Sequence, residues 1–153
     1  MTIKILVALD RSEMRNNVFE TALSLATMSQ SNLMLLHTLA EEEDIVDSLY
    51  QAEREEWQRY ERQSYQELQN LAEKARRANV KAECVQNFGS PGQNICNMAK
   101  TWLADLIVIG RRGHSGLKEV ILGSVSTYVT HHASCSVLIV QGYDSPFKLV
   151  KSA

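Results

Sequence analysis

The chain has 153 residues, 44% of them hydrophobic, and a formal charge of -2 at pH 7. A chain of that length suits one domain spanning residues 1–153, able to bury ~70% of its unfolded surface without disulfide staples. The near-neutral charge offers no bulk attraction to nucleic acid or anionic lipid, which argues against either as the main partner.

In chain order, Ile3–Leu9 reads as the first strand. Its apolar run, Ile5 to Leu9, is too short for a signal-peptide core or a membrane span. Val18, Ala22, Leu25 and Ala26 then mark one face of a helix from about Glu13 to Ser29, with Ser12 placed to cap it. Asn32–Thr38 is a second strand. The charged stretch Glu41–Asn79 predicts a long helix with a wet face and one apolar stripe, carried by Leu49, Trp57, Tyr60, Leu68, Leu71 and Ala75. Its first residues, Glu41 to Asp44, read as a loop. A third strand is expected over Val80–Gln86. Ser90-Pro91-Gly92-Gln93 follows, with a cap serine, proline at the first helical position and glutamine at the third. It opens a helix whose apolar face is Ile95, Ala99 and Trp102. The fourth strand is Asp105–Gly110. A last main helix begins near Ser124 and ends before Ser134, and Ser136–Gln141 is the fifth strand.

Runs such as Leu33-Met34-Leu35-Leu36 and Val137-Leu138-Ile139-Val140 are apolar throughout. That suits strands covered on both faces, as in a parallel sheet. The strict strand–helix alternation predicts an α/β three-layer sandwich with right-handed crossovers. Ligands of such sheets sit beyond the carboxyl ends of strands where the strand order reverses, so Leu9-Asp10 and Gly110 are the ends to watch. Cys84, Cys96 and Cys135 form an odd set without CxxC spacing. They suggest neither a disulfide framework nor a zinc knuckle, and a cytoplasmic location is expected.

After the fourth strand comes Gly110-Arg111-Arg112-Gly113-His114-Ser115-Gly116, and further on Gly123-Ser124-Val125-Ser126. Three glycines in seven residues permit positive φ and close backbone approach to a ligand. Amides in such a turn can form an anion nest, and the start of the next helix favours an anion as well. Ser124 and Ser126 add hydroxyl donors. Together the two elements could clasp a triphosphate. No Gly-Lys-Ser/Thr occurs, so this is not a P-loop, and a dinucleotide fingerprint would follow the first strand rather than the fourth.

Gly110-x2-Gly113-x9-Gly123-Ser124 resembles the G-x2-G-x9-G-[ST] motif of ATP-binding universal stress proteins. The opening Ile3–Ser12 resembles that family's first strand and acidic turn, and the similarity covers essentially the whole chain. The resemblance implies a five-stranded parallel sheet in the order 3-2-1-4-5, Rossmann-like and of the adenine nucleotide alpha hydrolase type. It implies that Asp10 faces the ribose or the metal–phosphate side of magnesium-bound ATP. The backbone at Ala8 and near Thr38-Leu39 would frame the adenine. Gly110, Arg111, Arg112, Gly113, His114, Ser115 and Gly116 would wrap ribose and phosphates, with Gly123, Ser124, Val125 and Ser126 closing on the phosphates. A proline or another small pair commonly precedes the acidic residue in that family, where this chain has Ala8-Leu9. Family members are dimeric through the last strand, here Ser136–Gln141. An apolar edge strand would invite such pairing, with the tail from Tyr143 to Phe147 beyond it.

Several residues admit two readings. Asp10 either caps the following helix or holds magnesium. Arg111 and Arg112 either neutralise phosphate or are exposed loop cations, with family position favouring Arg112, and His114 either contacts phosphate or is a polar loop residue. His131 and His132, adjacent on a helix, point about 100° apart and cannot share a metal as an i, i+4 pair would. His37 is expected to be partly buried and hydrogen-bonded, and Cys96, Trp57 and Trp102 read as packing. Three functions remain open: an ATP-binding regulatory module of the stress response, a slow ATP hydrolase or phosphotransferase, or an interaction protein that binds no nucleotide.

Overall fold

A computed structural model describes residues 2–39, 51–111 and 123–141. The loop expected at Glu41–Asp44, Leu49, the turn from Arg112 through Gly116 and the tail from Tyr143 lie outside the described residues.

The apolar runs form five parallel strands: β1 (Lys4–Ala8), β2 (Asn32–Leu39), β3 (Ala82–Phe88), β4 (Leu106–Gly110) and β5 (Ser136–Val140). Their order is β3-β2-β1-β4-β5, as the family resemblance implies. The third strand starts two residues later than expected and runs on to Phe88, paired with Leu39. Val80 serves instead as a buried anchor of the preceding turn, its N–H donating to Ala75 O at 3.0 Å.

Among the described residues, four helices cover the two faces: α1 (Arg15–Ser29), α2 (Gln51–Arg77), α3 (Pro91–Trp102) and α4 (Ser124–His132). Successive strand residues point to opposite faces, so β1 feeds two cores at once. Ile5, Val7 and Leu9 pack with Val18, Phe19, Ala22 and Ala26 of α1 and with Leu68, Ala72 and Ala75 of α2. Leu6 points the other way, to Ile95 and Ala99 of α3 and Val129 of α4. The α2 stripe is made largely of small residues, with Ser64, Ala72 and Ala75 buried beside Leu68, so a long polar helix can lie close on the sheet.

Polar ties hold the layers in register. His37, buried in β2, shares a 2.9 Å hydrogen bond through Nδ1 with Gln86 Oε1 of β3, and Gln86 Nε2 donates to Glu61 O of α2. At the amino ends of the strands, Lys4 N donates to Asp105 Oδ2, and Asp105 N donates to Lys4 O, both at 2.8 Å. Trp102 packs against the second core, where Cys96 is half-buried, while Trp57 stacks on Tyr60. His131 and His132 sit exposed in the last turn of α4.

The start of α1 differs from expectation. Ser12 does not cap the helix, because a tight turn from Ser12 to Arg15 precedes it and Met14 holds the cap position. Ser12 Oγ accepts from Met14 N at 3.2 Å, and Asp10 Oδ1 accepts from Ser12 N at 2.9 Å. Ser90 does hold the cap position of α3, followed by Pro91, although its side chain makes no capping hydrogen bond.

Candidate functional site

Strand order reverses between β1 and β4, since the chain builds outward through β2 and β3 and then returns to the other side of β1. The connections leaving these neighbours diverge, and a cleft opens between their carboxyl ends. Ala8, Leu9 and Asp10 form one wall with Ser12, Met14, Arg15 and Val18. Ile109, Gly110 and Arg111 face them, with Gly123, Val125 and Ser126 of the α4 start. Leu36, Thr38, Pro91 and Ile95 close the remaining side. Counting its open mouth, the cleft encloses about 750 Å3 of empty space and stands open to solvent.

In a parallel α/β sheet the crossover helices run back against the strands, so α1, α3 and α4 all begin at this edge. None carries an acidic residue in its first turn. The positive ends of α3 and α4 therefore lack a counter-charge in their first turns, while Asp10 and Glu13 precede α1. At α4 the first turn closes with Thr127 N donating to Gly123 O at 2.9 Å. The N–H groups of Ser124, Val125 and Ser126 precede that bond and have no partner among the described residues, as the first turn of a helix requires. Gly123, Val125 and Ser126 bring them to the cleft wall.

The structure corrects several readings of individual residues. The described part of the glycine-rich turn uses no positive φ, and Gly89 is the only glycine with one among the described residues. Gly110, which lines the cleft, also has a packing reason to lack a Cβ: an added Cβ would lie 2.8 Å from Val18 Cγ2 of α1. Gly123 is extended, with φ -65° and ψ 165°, in the cap position of α4. Ser126 lines the cleft, yet its hydroxyl is buried and donates to Gly110 O at 2.9 Å, because the third position of α4 turns toward the sheet. It is a tie between α4 and β4, not a free donor. Ser124 is exposed and lies outside the cleft lining.

On the β2 side, Thr38 lines the cleft and its hydroxyl donates to Asn87 Oδ1 at 2.8 Å. Leu39 is buried beneath it, its carbonyl taken by Gly89 N at 3.0 Å, and does not line the cleft. Asp10 is exposed and lines the cleft; its Oδ1 accepts from Ser12 N in the turn before α1, so it does not cap the helix itself. Arg111 is committed to the sheet edge, its N–H donating to Val140 O at 3.0 Å and Nη1 to Gln141 Oε1 at 2.7 Å. Arg112, Gly113, His114, Ser115 and Gly116 lie outside the described residues.

Motif spacing did not single out Arg15, which lines the cleft, or Glu67, which pairs with it from α2. Glu67 receives Arg15 Nη1 at 2.7 Å and Arg11 Nη2 at 3.0 Å. Burial pushes the Glu67 carboxyl upward, but the hydrogen bond from Arg15 and the charges of Arg11 and Arg15 outweigh it and hold it below its ordinary value. Among the described residues, no group of three or more His, Cys, Asp or Glu could hold a metal ion, and no helix is long and apolar enough to cross a membrane.

Sheet order and cleft position define the class, an open α/β fold of the adenine nucleotide alpha hydrolase type. A model of the universal stress protein family matches residues 1–141, and the chain belongs to that family. It is 41% identical over 149 residues to the universal stress protein Sll1388 of Synechocystis, covering 90% of this chain and 97% of that one. The solved protein MJ0577 superposes with a TM-score of 0.78 at 26% identity, over 95% of this chain and 99% of its own. The fold recurs in a universal stress protein in complex with cAMP, at TM-score 0.67 and 22% identity over 92% and 97% of the chains. It recurs again in one from Archaeoglobus fulgidus in complex with dAMP, at TM-score 0.64 and 21% identity over 90% and 96%.

Proposed function

We propose that this chain is a single-domain, ATP-binding regulatory module of the stress response, with the nucleotide in the cleft between β1 and β4. The observation that carries the reading is the unpartnered first turn of α4, at the wall of an open cleft where strand order reverses. Two proteins of this fold are in complex with adenine nucleotides, cAMP in one and dAMP in the other, which supports an adenosine ligand. Ala8 and Thr38 would frame the adenine, and the amides of Ser124, Val125 and Ser126 would take phosphate oxygens. Arg112 through Gly116 would complete the phosphate wrap. Magnesium would enter with the nucleotide, because one exposed carboxylate, Asp10, suits a cation that takes most of its ligands from phosphate and water.

Among the described residues β5 has a partner on one side only and is largely half-buried and apolar, which supports a homodimer joined through Ser136–Gln141; a cytoplasmic location fits its three free cysteines. Denaturing the purified protein and identifying the released small molecule tests the nucleotide. A saturating adenine nucleotide at about a hundred times its Kd adds roughly 2.7 kcal/mol to the unfolding free energy. Recovery of no nucleotide, with no thermal shift on adding ATP and magnesium, would leave the interaction protein as the better account. Steady-state phosphate release then separates a binding module from a slow hydrolase.

A further inference from the structure

Arg15 and Arg11 share the single carboxylate of Glu67, so these three side chains carry one positive charge in excess, and Arg15 among them lines the cleft. The two guanidinium groups are not equivalent. Arg11 also lies over the Tyr60 ring, 4.9 Å from its centroid, and has a second reason to stay where it is. The Arg15 side chain pairs with Glu67 and makes no second hydrogen bond or ion pair among the described residues, with the side chain 30% exposed. It stands in the first turn of α1 and lines the cleft opposite the open start of α4. An arginine fork suits a phosphate oxygen pair as well as a carboxylate, and rotation about its flexible stem exchanges one for the other.

We propose that Arg15 is a specificity-determining ligand for the phosphate tail of the nucleotide, held in reserve by Glu67 until a polyphosphate takes it. This deepens the ATP-binding reading and rests on it. Glu67 retains Arg11 after the exchange, so no carboxylate is left bare. The ion pair joining α1 to α2 is loosened by the same event, and occupancy of the cleft is thereby felt on the outer helix. A ligand without phosphates leaves the pair intact and gains nothing from Arg15.

Calorimetric titration of the full chain with ATP–magnesium and with adenosine, for the parent, Arg15→Gln and Glu67→Gln, tests this. Arg15→Gln is expected to weaken ATP about tenfold and to leave adenosine within about twofold. Glu67→Gln, which removes the competitor, is expected to tighten ATP and leave adenosine unchanged. An Arg15→Gln variant that keeps the parental preference for ATP over adenosine overturns the proposal and makes the cluster a strut between two helices. Weakened ATP binding in Glu67→Gln overturns the exchange. A parent that binds neither compound defeats the ATP reading itself, a different result from either of these. Both side chains are partly exposed, and circular dichroism of each variant confirms that the fold is retained.

Discussion

The Cγ2 methyl of Val18 occupies the space that a side chain on Gly110 would need, 2.8 Å from the position of an added Cβ. Valine is stiff at χ1 in a helix, so the methyl cannot swing aside. Gly110→Ala is therefore expected to destabilise the fold by about 1–3 kcal/mol through overpacking. Truncating the neighbour as well, in Gly110→Ala/Val18→Ala, should show favourable coupling of about 1 kcal/mol or more in a double-mutant cycle by urea denaturation. Simple additivity would mean that the glycine serves something other than the approach of α1.

Glu67 makes stability depend on acidity in a definite direction. Burial acts to raise its carboxyl, but the Arg15 hydrogen bond and the two guanidinium charges win and hold it below the ordinary 4.5. A depressed carboxylate contributes above its unfolded pKa, and the contribution is lost as pH falls through the lower, folded value. Glu67→Gln should cost up to about 1 kcal/mol at neutral pH, the range of partly exposed ion pairs. That difference should fade on acidification below 4.5. Denaturation curves of both proteins between pH 7 and pH 3 read the effect, and a gap that stayed constant would refute it.

Leu103 closes α3 in the left-handed region, with φ 60° and 73% of its surface exposed. A branched side chain pays a steric penalty there while burying little. Leu103→Gly is expected to stabilise by about 0.5–1 kcal/mol, the gain from relieved strain offset by the freer unfolded chain. A lower Tm in this variant would show that the exposed leucine packs more usefully than its exposure suggests.

Periodicity made the sheet legible, because β1, β2 and β4 are buried on both faces and carry continuous apolar stretches such as Leu33 to Leu36. The two ends of the cleft followed from parallel topology, which places every strand's carboxyl end at one edge. Individual roles were harder to see. A glycine in a motif does not reveal that a neighbouring helix also needs its missing Cβ, as Val18 does at Gly110. Arg15 and Glu67 are 52 residues apart, and only the packing of α1 beside α2 brings them together. The helix starts offered an overlooked signal: crossover helices must begin at the ligand edge, so Pro91 was bound to lie near the cleft.

Ser126 joins fold and site most directly. Its buried hydroxyl donates to Gly110 O at 2.9 Å and fixes the start of α4 to the end of β4. Ser126→Ala would leave that carbonyl short of a partner, at a cost of about 1–3 kcal/mol. The loss should appear in protein stripped of nucleotide, since the bond is made within the chain. Restoring the hydroxyl with Ser126→Thr should recover part of it, limited by the room for one more methyl. If the hydroxyl instead met the phosphates, the stripped alanine variant would melt with the parent and only its thermal shift with ATP would shrink. Melting curves of the stripped proteins, taken before any ligand is added, therefore distinguish a tie that positions the α4 amides from a donor that touches the nucleotide.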